Sequence, residues 1–284
     1  MHRNAASLSI VLTLAAFGAT AQEYGPQPPT TVSAIKRACD VAGGLEAFRR
    51  LGIVQADVVS DEITQDGTTS SKRTTLALVP PGPLPARLER PDAKVVAGDD
   101  GTGGWAVADR RPDARPSTAY MIRRLVQTEL FPLLLPFSLT WEGVSITDVK
   151  AMEIEGQPVW RLSVTLARTF FHTPQISTEW TVDFDRRTWA LVRAQCPYTD
   201  LGQGIKADGM RFTWSDPVKV RDVWLHRTQR VIGLDEAGQE NAHTRVDKAR
   251  YGLHPASLAT KLFANPIPPD LRPKQPQPGP PVKP

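Results

Sequence analysis

Soft metal ligands are scarce in this chain: two cysteines and five histidines in 284 residues, with neither a Cys-x-x-Cys pair nor a His-Glu-x-x-His run. That leaves no motif for zinc. A Gly-x-Ser-x-Gly nucleophile elbow is also missing. The glycine-rich stretch Asp100-Gly101-Thr102-Gly103-Gly104 lacks the Gly-Lys-Ser/Thr ending of a phosphate loop and precedes a strand pattern, so it reads as a hairpin turn. Acidic pairs such as Asp61-Glu62 and Asp183/Asp185 fall at strand ends or on faces read as wet. His172, His226, His243 and His254 read as structural or surface residues, although His226 and His243 lie on neighbouring predicted strands where their rings can meet. No catalytic residue, metal ligand or cofactor is expected.

Long apolar runs are equally scarce. The longest, Ala5 to Gly18, follows the short basic start Met1-His2-Arg3-Asn4 and precedes Ala19-Thr20-Ala21. That order predicts a signal peptide cleaved after Ala21 and a periplasmic destination. The run is shorter than the roughly 20 residues of a membrane span, and no cysteine follows the cleavage site to carry a lipid anchor. The mature chain is expected to lack a transmembrane segment. Loss of Arg3 lowers the formal charge from +4 to +3. The basic residues are dispersed, which suits a solvated surface and does not single out nucleic acid.

Both cysteines lie beyond the leader, and an oxidising compartment permits a bridge. Cys39 follows Ile35 by one helical turn. Cys196 shares a strand face with Ala190, Val192 and Ala194. A Cys39–Cys196 disulfide, worth about 5 kcal/mol in the chain-entropy model, and a pair of buried thiols both remain open.

Residues 22–30 carry Pro26, Pro28 and Pro29 and read as an exposed lead-in. Thr31 or Ser33 can cap a helix running to about Arg50, with Ile35, Cys39, Ala42, Leu45 and Phe48 on one stripe and a break at Gly43-Gly44. A second helix is predicted at 117–135, capped by Ser117, and Pro132 and Pro136 should break it. The rest alternates with period two. Strands are predicted at 53–64, 72–79, 86–97, 104–109, 145–154, 159–167, 176–184, 189–196, 208–215, 222–233 and 241–251, about eleven in all. On 159–167, Trp160, Leu162, Val164 and Leu166 share one face; on 176–184, Ile176, Trp180, Val182 and Phe184 do. Such regular spacing predicts one antiparallel sheet bending into a barrel or wrap, not a parallel fold, in a single domain over residues 31–263. Residues 264–284 are proline-rich, with nine of the 26 prolines at or after Pro266, and read as a disordered tail.

One apolar segment is unusual. Leu130-Phe131-Pro132-Leu133-Leu134-Leu135-Pro136-Phe137 is too proline-broken for an ordinary core helix and too short to span a membrane. It either plugs the core or covers a hydrophobic cavity on the concave side of the sheet, where a lipidic ligand could lie.

The order of elements resembles the LolA/LolB-like superfamily of periplasmic lipoprotein carriers and lipid-transport lipoproteins. Three stretches carry the resemblance. Gly101 to Trp105 looks like a glycine-then-tryptophan hairpin. Trp180 to Arg193 is similar to a strand–turn–strand unit with an Asp-x-x-Thr turn, here Asp185-Arg186-Arg187-Thr188. Phe212 to Arg227 resembles the following pair, with His226 where proline is usual. The resemblance spans roughly residues 31–252.

It implies an unclosed β-barrel whose concave apolar face, covered by helices, binds acyl chains. Leu125, Leu130, Phe131, Leu133, Leu134 and Phe137 would form a movable cover, and Trp160, Leu162, Val164, Trp180 and Val182 the concave wall. The implied partner is a lipid or the acyl chain of a lipoprotein, and the expected form is a monomer. An arginine on an early strand holds the cover shut in carriers of this kind; Arg73, Arg87 and Arg90 are the candidates, with no motif to choose among them. An envelope scaffold that reaches partner proteins through the proline-rich tail is the alternative function, and a hydrolase using the same cavity the third.

Overall fold

The computed structural model describes residues 27–64, 66–113, 115–167, 170, 178–197 and 208–271. The predicted signal peptide and most of the lead-in and tail lie outside them, as does His172. Thirteen strands form one antiparallel sheet among the described residues. They are β1 Ile53–Ile63, β2 Thr69–Leu78, β3 Ala86–Arg90, β4 Val95–Asp99, β5 Gly104–Ala108, β6 Arg111–Asp113, β7 Val144–Ile154, β8 Gln157–Leu166, β9 Thr178–Asp185, β10 Leu191–Pro197, β11 Gly209–Val220, β12 Val223–Leu234 and β13 Glu240–His254. The order runs β6-β5-β4-β3-β2-β1-β13-β12-β11-β10-β9-β8-β7. Chain neighbours pair throughout, except at the long-range β1–β13 join, where Val54 faces Leu253 and Glu62 faces Arg245. Because β6 and β7 do not pair, the sheet is an unclosed barrel.

The strand count exceeds the expected eleven for two local reasons. Residues 86–97 are not one strand: a 3-10 turn at Pro91–Ala93 and left-handed Lys94 (φ 51°) fold β3 back on β4. Proline at 91 removes a ladder donor and starts that turn. A short strand, β6, then adds to the edge.

Helices occupy the concave side. Helix α1, Thr31–Val41, is capped by Thr30, whose Oγ1 accepts from the Ser33 amide at 3.3 Å, rather than by Thr31 or Ser33 themselves. Gly43 and Gly44, at φ 108° and 93°, separate it from α2, Leu45–Arg49. A Cβ on Gly43 would lie 2.1 Å from the Asp222 carbonyl oxygen, so only glycine lets the β11–β12 turn approach this close. There the Trp224 amide donates to the Ala42 carbonyl at 2.8 Å. Helix α3, Pro116–Leu133, starts with proline at its first position, where the missing N–H has no partner to lose, and Ser117 is not its cap. A 3-10 turn, Phe137–Thr140, follows, and a short α4, Ala259–Phe263, packs near β3. The packed chain continues beyond residue 263, since Ile267 is buried. Ile267 lies within the stretch 264–284 that reads as tail in the sequence.

The core lies between helices and sheet. One continuous apolar cluster joins Ala34, Ala38 and Phe48 of α1–α2, Leu130 to Leu139, and the inward residues of β1, β2 and β8 to β12. On the opposite face of the sheet, Asp183 is fully buried rather than wet, held by Arg161 and Arg193. The Asp185 turn is closed as its sequence suggests: Oδ1 accepts from the Arg187 and Thr188 amides and the Thr188 hydroxyl.

Candidate functional site

Helix α3 packs along β3, β4 and β5 and carries its C-terminal end across the concave side. Pro132 lies inside the last turn without ending it. The Ser138 hydroxyl donates to the Phe131 carbonyl at 2.7 Å and the Leu134 amide to the Leu130 carbonyl at 3.1 Å. These bonds occupy carbonyls that a proline-broken helix end would otherwise leave bare.

The segment is the centre of the core, not its rim. Leu130, Phe131, Leu133, Leu134 and Phe137 are all buried, and Leu125 packs half-buried against the same cluster. Phe131 stands edge-on to Trp180 (centroids 5.0 Å apart), Phe170 and Trp141. The predicted wall residues meet it from the sheet: Trp160, Leu162 and Val164 on β8, Trp180 and Val182 on β9, all buried. Ile176 lies outside the described residues. Among the described residues the concave side is filled by protein. Spaces among the described residues include a partly open void of about 20 Å³, room for one water, and an open groove of about 540 Å³ bordered by Val164, Trp180, Ser163, Thr165 and Thr181.

Sequence reasoning missed a cluster of charges beneath α3. Glu129 of that helix meets Arg245 of β13 at 3.2 Å and Arg90 of β3 at 3.8 Å. Arg245 also binds Asp247 at 3.0 Å, and Lys72 of β2 binds Glu62 of β1 at 2.7 Å. His243 lies 3.7 Å from Glu62 and is buried. Glu62 was read as wet; it is 5 % exposed because β13 and β2 flank it on the concave face. Burial opposes its ionisation, but Lys72, His243 and Arg245 hold its carboxyl below the ordinary value. Asp247 goes the other way: burial raises it, against the pull of Arg245. Burial lowers His243, with Arg245 and Lys72 assisting and Glu62 opposing. A signal for this cluster existed. The period-two face of β13 that carries Ala249 and Tyr251 also carries His243, Arg245 and Asp247.

The histidines do not assemble. His226 lies on β12, where its carbonyl accepts from the Tyr251 hydroxyl at 2.8 Å, and His243 lies on β13 beside Glu62. No group of three or more potential metal ligands occurs among the described residues. The cysteines form no bridge. Cys39 packs against the Pro136 carbonyl with Sγ 3.9 Å from the oxygen, and Cys196 lies on β10 opposite Met210. Both are buried thiols: burial and then Asp40 push Cys39 up to about 12, and burial alone raises Cys196 further. No helix among the described residues is long and apolar enough to cross a membrane.

An unclosed antiparallel barrel with its concave face under a helical cover defines a class: the LolA-like half-barrels. The solved structure of a LolA superfamily protein from Nitrosomonas europaea superposes with a TM-score of 0.53 at 10% identity, covering 83% of this chain and 99% of that one. A putative outer membrane lipoprotein-sorting protein domain from Vibrio parahaemolyticus follows at 0.48, with 10% identity over 80% of this chain and 98% of its own. A DUF1329 family protein from Desulfovibrio piger gives 0.47 at 12% identity, over 81% and 97%. The first of these superpositions shows the LolA-like fold in this chain. No protein-family model matches the sequence, and no curated protein does.

Proposed function

We propose that the protein is an exported carrier that holds a lipid or acylated ligand in the half-barrel, with α3 and the Leu133–Phe137 segment as a lid that leaves when the ligand enters. One observation carries the reading: the contact between lid and wall mixes a large apolar area with imperfectly paired polar groups. The buried Gln127 Oε1, Trp141 Nε1 and Arg90 Nε have no hydrogen-bond partner among the described residues. A permanent core satisfies nearly all such atoms, because each one left bare costs about 1–3 kcal/mol. The Glu129 ion pairs retain partial solvent exposure and contribute specificity more than strength.

The exchange is energetically balanced. Burying each lid leucine or phenylalanine is worth about 1.5–3 kcal/mol, and each methylene of an incoming acyl chain about 0.8 kcal/mol. For the six cover residues that is about 9–18 kcal/mol, which about 11 to 22 methylenes offset. Arg90, on the early strand β3, and Arg245 act as the latch; Arg87 instead binds the Leu262 carbonyl and Glu89, and Arg73 stays on the outer side near Asp92. The leader sequence supports a periplasmic location for the carrier.

The test is direct. Protein purified from the periplasm without detergent, then extracted and examined by mass spectrometry, should release lipid in near-stoichiometric amount. An empty protein that also fails to bind fluorescent fatty-acyl probes would refute the carrier reading.

A further inference from the structure

Three adjacent strands share one gradient on the concave face. Along β1, the inward residues run Glu62, Ser60, Val58, Ala56, Val54. The β13 residues opposite them run Arg245, Asp247, Ala249, Tyr251, Leu253, and the β2 residues Ser70, Lys72, Thr74, Leu76, Leu78. In register, all three pass from charged or polar at the hairpin-turn end to apolar at the other. A surface with one charged end and one oily end is complementary to an amphiphile, not to a plain hydrocarbon.

The charged end is neutral only while the lid is shut. By formal charge, Arg90, Arg245 and Lys72 are balanced by Glu62, Asp247 and Glu129. Of these six, Glu129 alone belongs to α3. Lifting the helix removes one carboxylate, takes from Arg90 its carboxylate partner, and leaves the wall with one net positive charge. Arg90 Nε already has no hydrogen-bond partner among the described residues. The void of about 20 Å³ lies between these groups, bordered by Arg90, Glu129, Arg245, Lys72, Val58 and Leu76. Charged groups touch apolar ones there.

We propose that Arg90, Arg245 and Lys72 form the seat of a ligand's anionic headgroup, and that Glu129 fills this seat as a stand-in when the carrier is empty. The inference rests on the carrier reading and names its ligand class: an amphiphile with one carboxylate or phosphate. Its headgroup replaces the Glu129 carboxylate on Arg245 and Arg90, and its chain runs along Val58, Leu76 and Leu78. Charge-assisted bonds to a partly desolvated guanidinium are stronger than neutral ones, so the headgroup supplies discrimination while the chain supplies most of the affinity.

The experiment compares ligands of equal chain length on the full mature protein by displacement of a fluorescent acyl probe. Palmitate and dipalmitoyl phosphatidate are the anionic arms; monopalmitin and dipalmitoylglycerol are the neutral ones. The anionic ligand should bind at least tenfold more tightly than its neutral counterpart, and the better anionic arm tells carboxylate from phosphate. Arg90→Gln, at a partly exposed position, should reduce the ratio of anionic to neutral affinity severalfold, since a loosened latch shifts both arms alike and the lost cation only the anionic one. Glu129→Gln should tighten anionic binding, because the internal competitor has lost its charge. Equal binding of anionic and neutral ligands, or a preference untouched by Arg90→Gln, would overturn the headgroup seat while leaving the carrier intact. Failure of all four ligands to bind would overturn the carrier reading itself.

Discussion

Phe48 of α2 and Phe137 of the lid segment stack face to face, with ring centroids 4.3 Å apart and planes 4° from parallel. Both are fully buried, so the N-terminal helices pack directly against the segment proposed as the lid. Phe48→Ala leaves a ring-sized cavity at this contact. It should lower the unfolding free energy by about 3–5 kcal/mol, measured by urea denaturation, and should speed ligand uptake in stopped-flow probe binding.

Asp183 belongs to the scaffold, not to the site. Arg161 donates to it twice, at 2.7 and 2.9 Å, and Arg193 once, at 3.0 Å, across β8, β9 and β10. Asp183→Asn removes the charge that two arginines share, and breaking such a buried pair costs about 3 kcal/mol. Thermal unfolding should show that loss, and the ligand preference should be unchanged.

Gly43→Ala should lose stability, whereas glycine-to-alanine in a helix interior gains about 0.5–1 kcal/mol. The added Cβ meets backbone rather than a flexible side chain, and φ is 108°. A loss of about 2 kcal/mol or more is expected in denaturant unfolding. Gly44→Ala, with open space around its Cβ but a similar φ, should lose less.

The buried thiols predict an unreactive native protein. Neither Cys39 nor Cys196 should react with a thiol-specific reagent at pH 8, and both should react in denaturant. Non-reducing electrophoresis should give the same mobility as reducing electrophoresis. A mobility shift would show a bridge.

Stability should fall on acidification in two stages. His243 is depressed below its ordinary 6.5, so it stays neutral when folded and takes up a proton more readily when unfolded. The stability this confers is present above about pH 6.5 and is lost as pH falls toward the folded value. Glu62, depressed below 4.5, contributes in the same sense at lower pH, and Asp66 and Asp185, both lowered to about 2, follow. His243→Gln should remove part of the upper stage in melting-temperature profiles between pH 7 and 5. His226, also lowered by burial, accounts for a share that persists.

The features legible in the sequence are those set by near neighbours along the chain. Period-two alternation located β8 and β9 and the inward side of each, because successive side chains in a strand must point to opposite faces. Gly43-Gly44 announced the break between α1 and α2, and Asp185 with Thr188 announced a turn closed by its own side chain. A sheet bending into a barrel or wrap followed from counting such strands; that it stays unclosed came from the resemblance, and the apolar segment 130–137 stood out by its two prolines. The charged seat did not. Arg90, Glu129, Lys72, Glu62 and Arg245 come from five different elements, and they meet only because β1 pairs with β13, almost two hundred residues away. Read locally, Glu62 and Asp183 are surface carboxylates; long-range pairing and the helix above decide which charges are taken out of water, and with which partners.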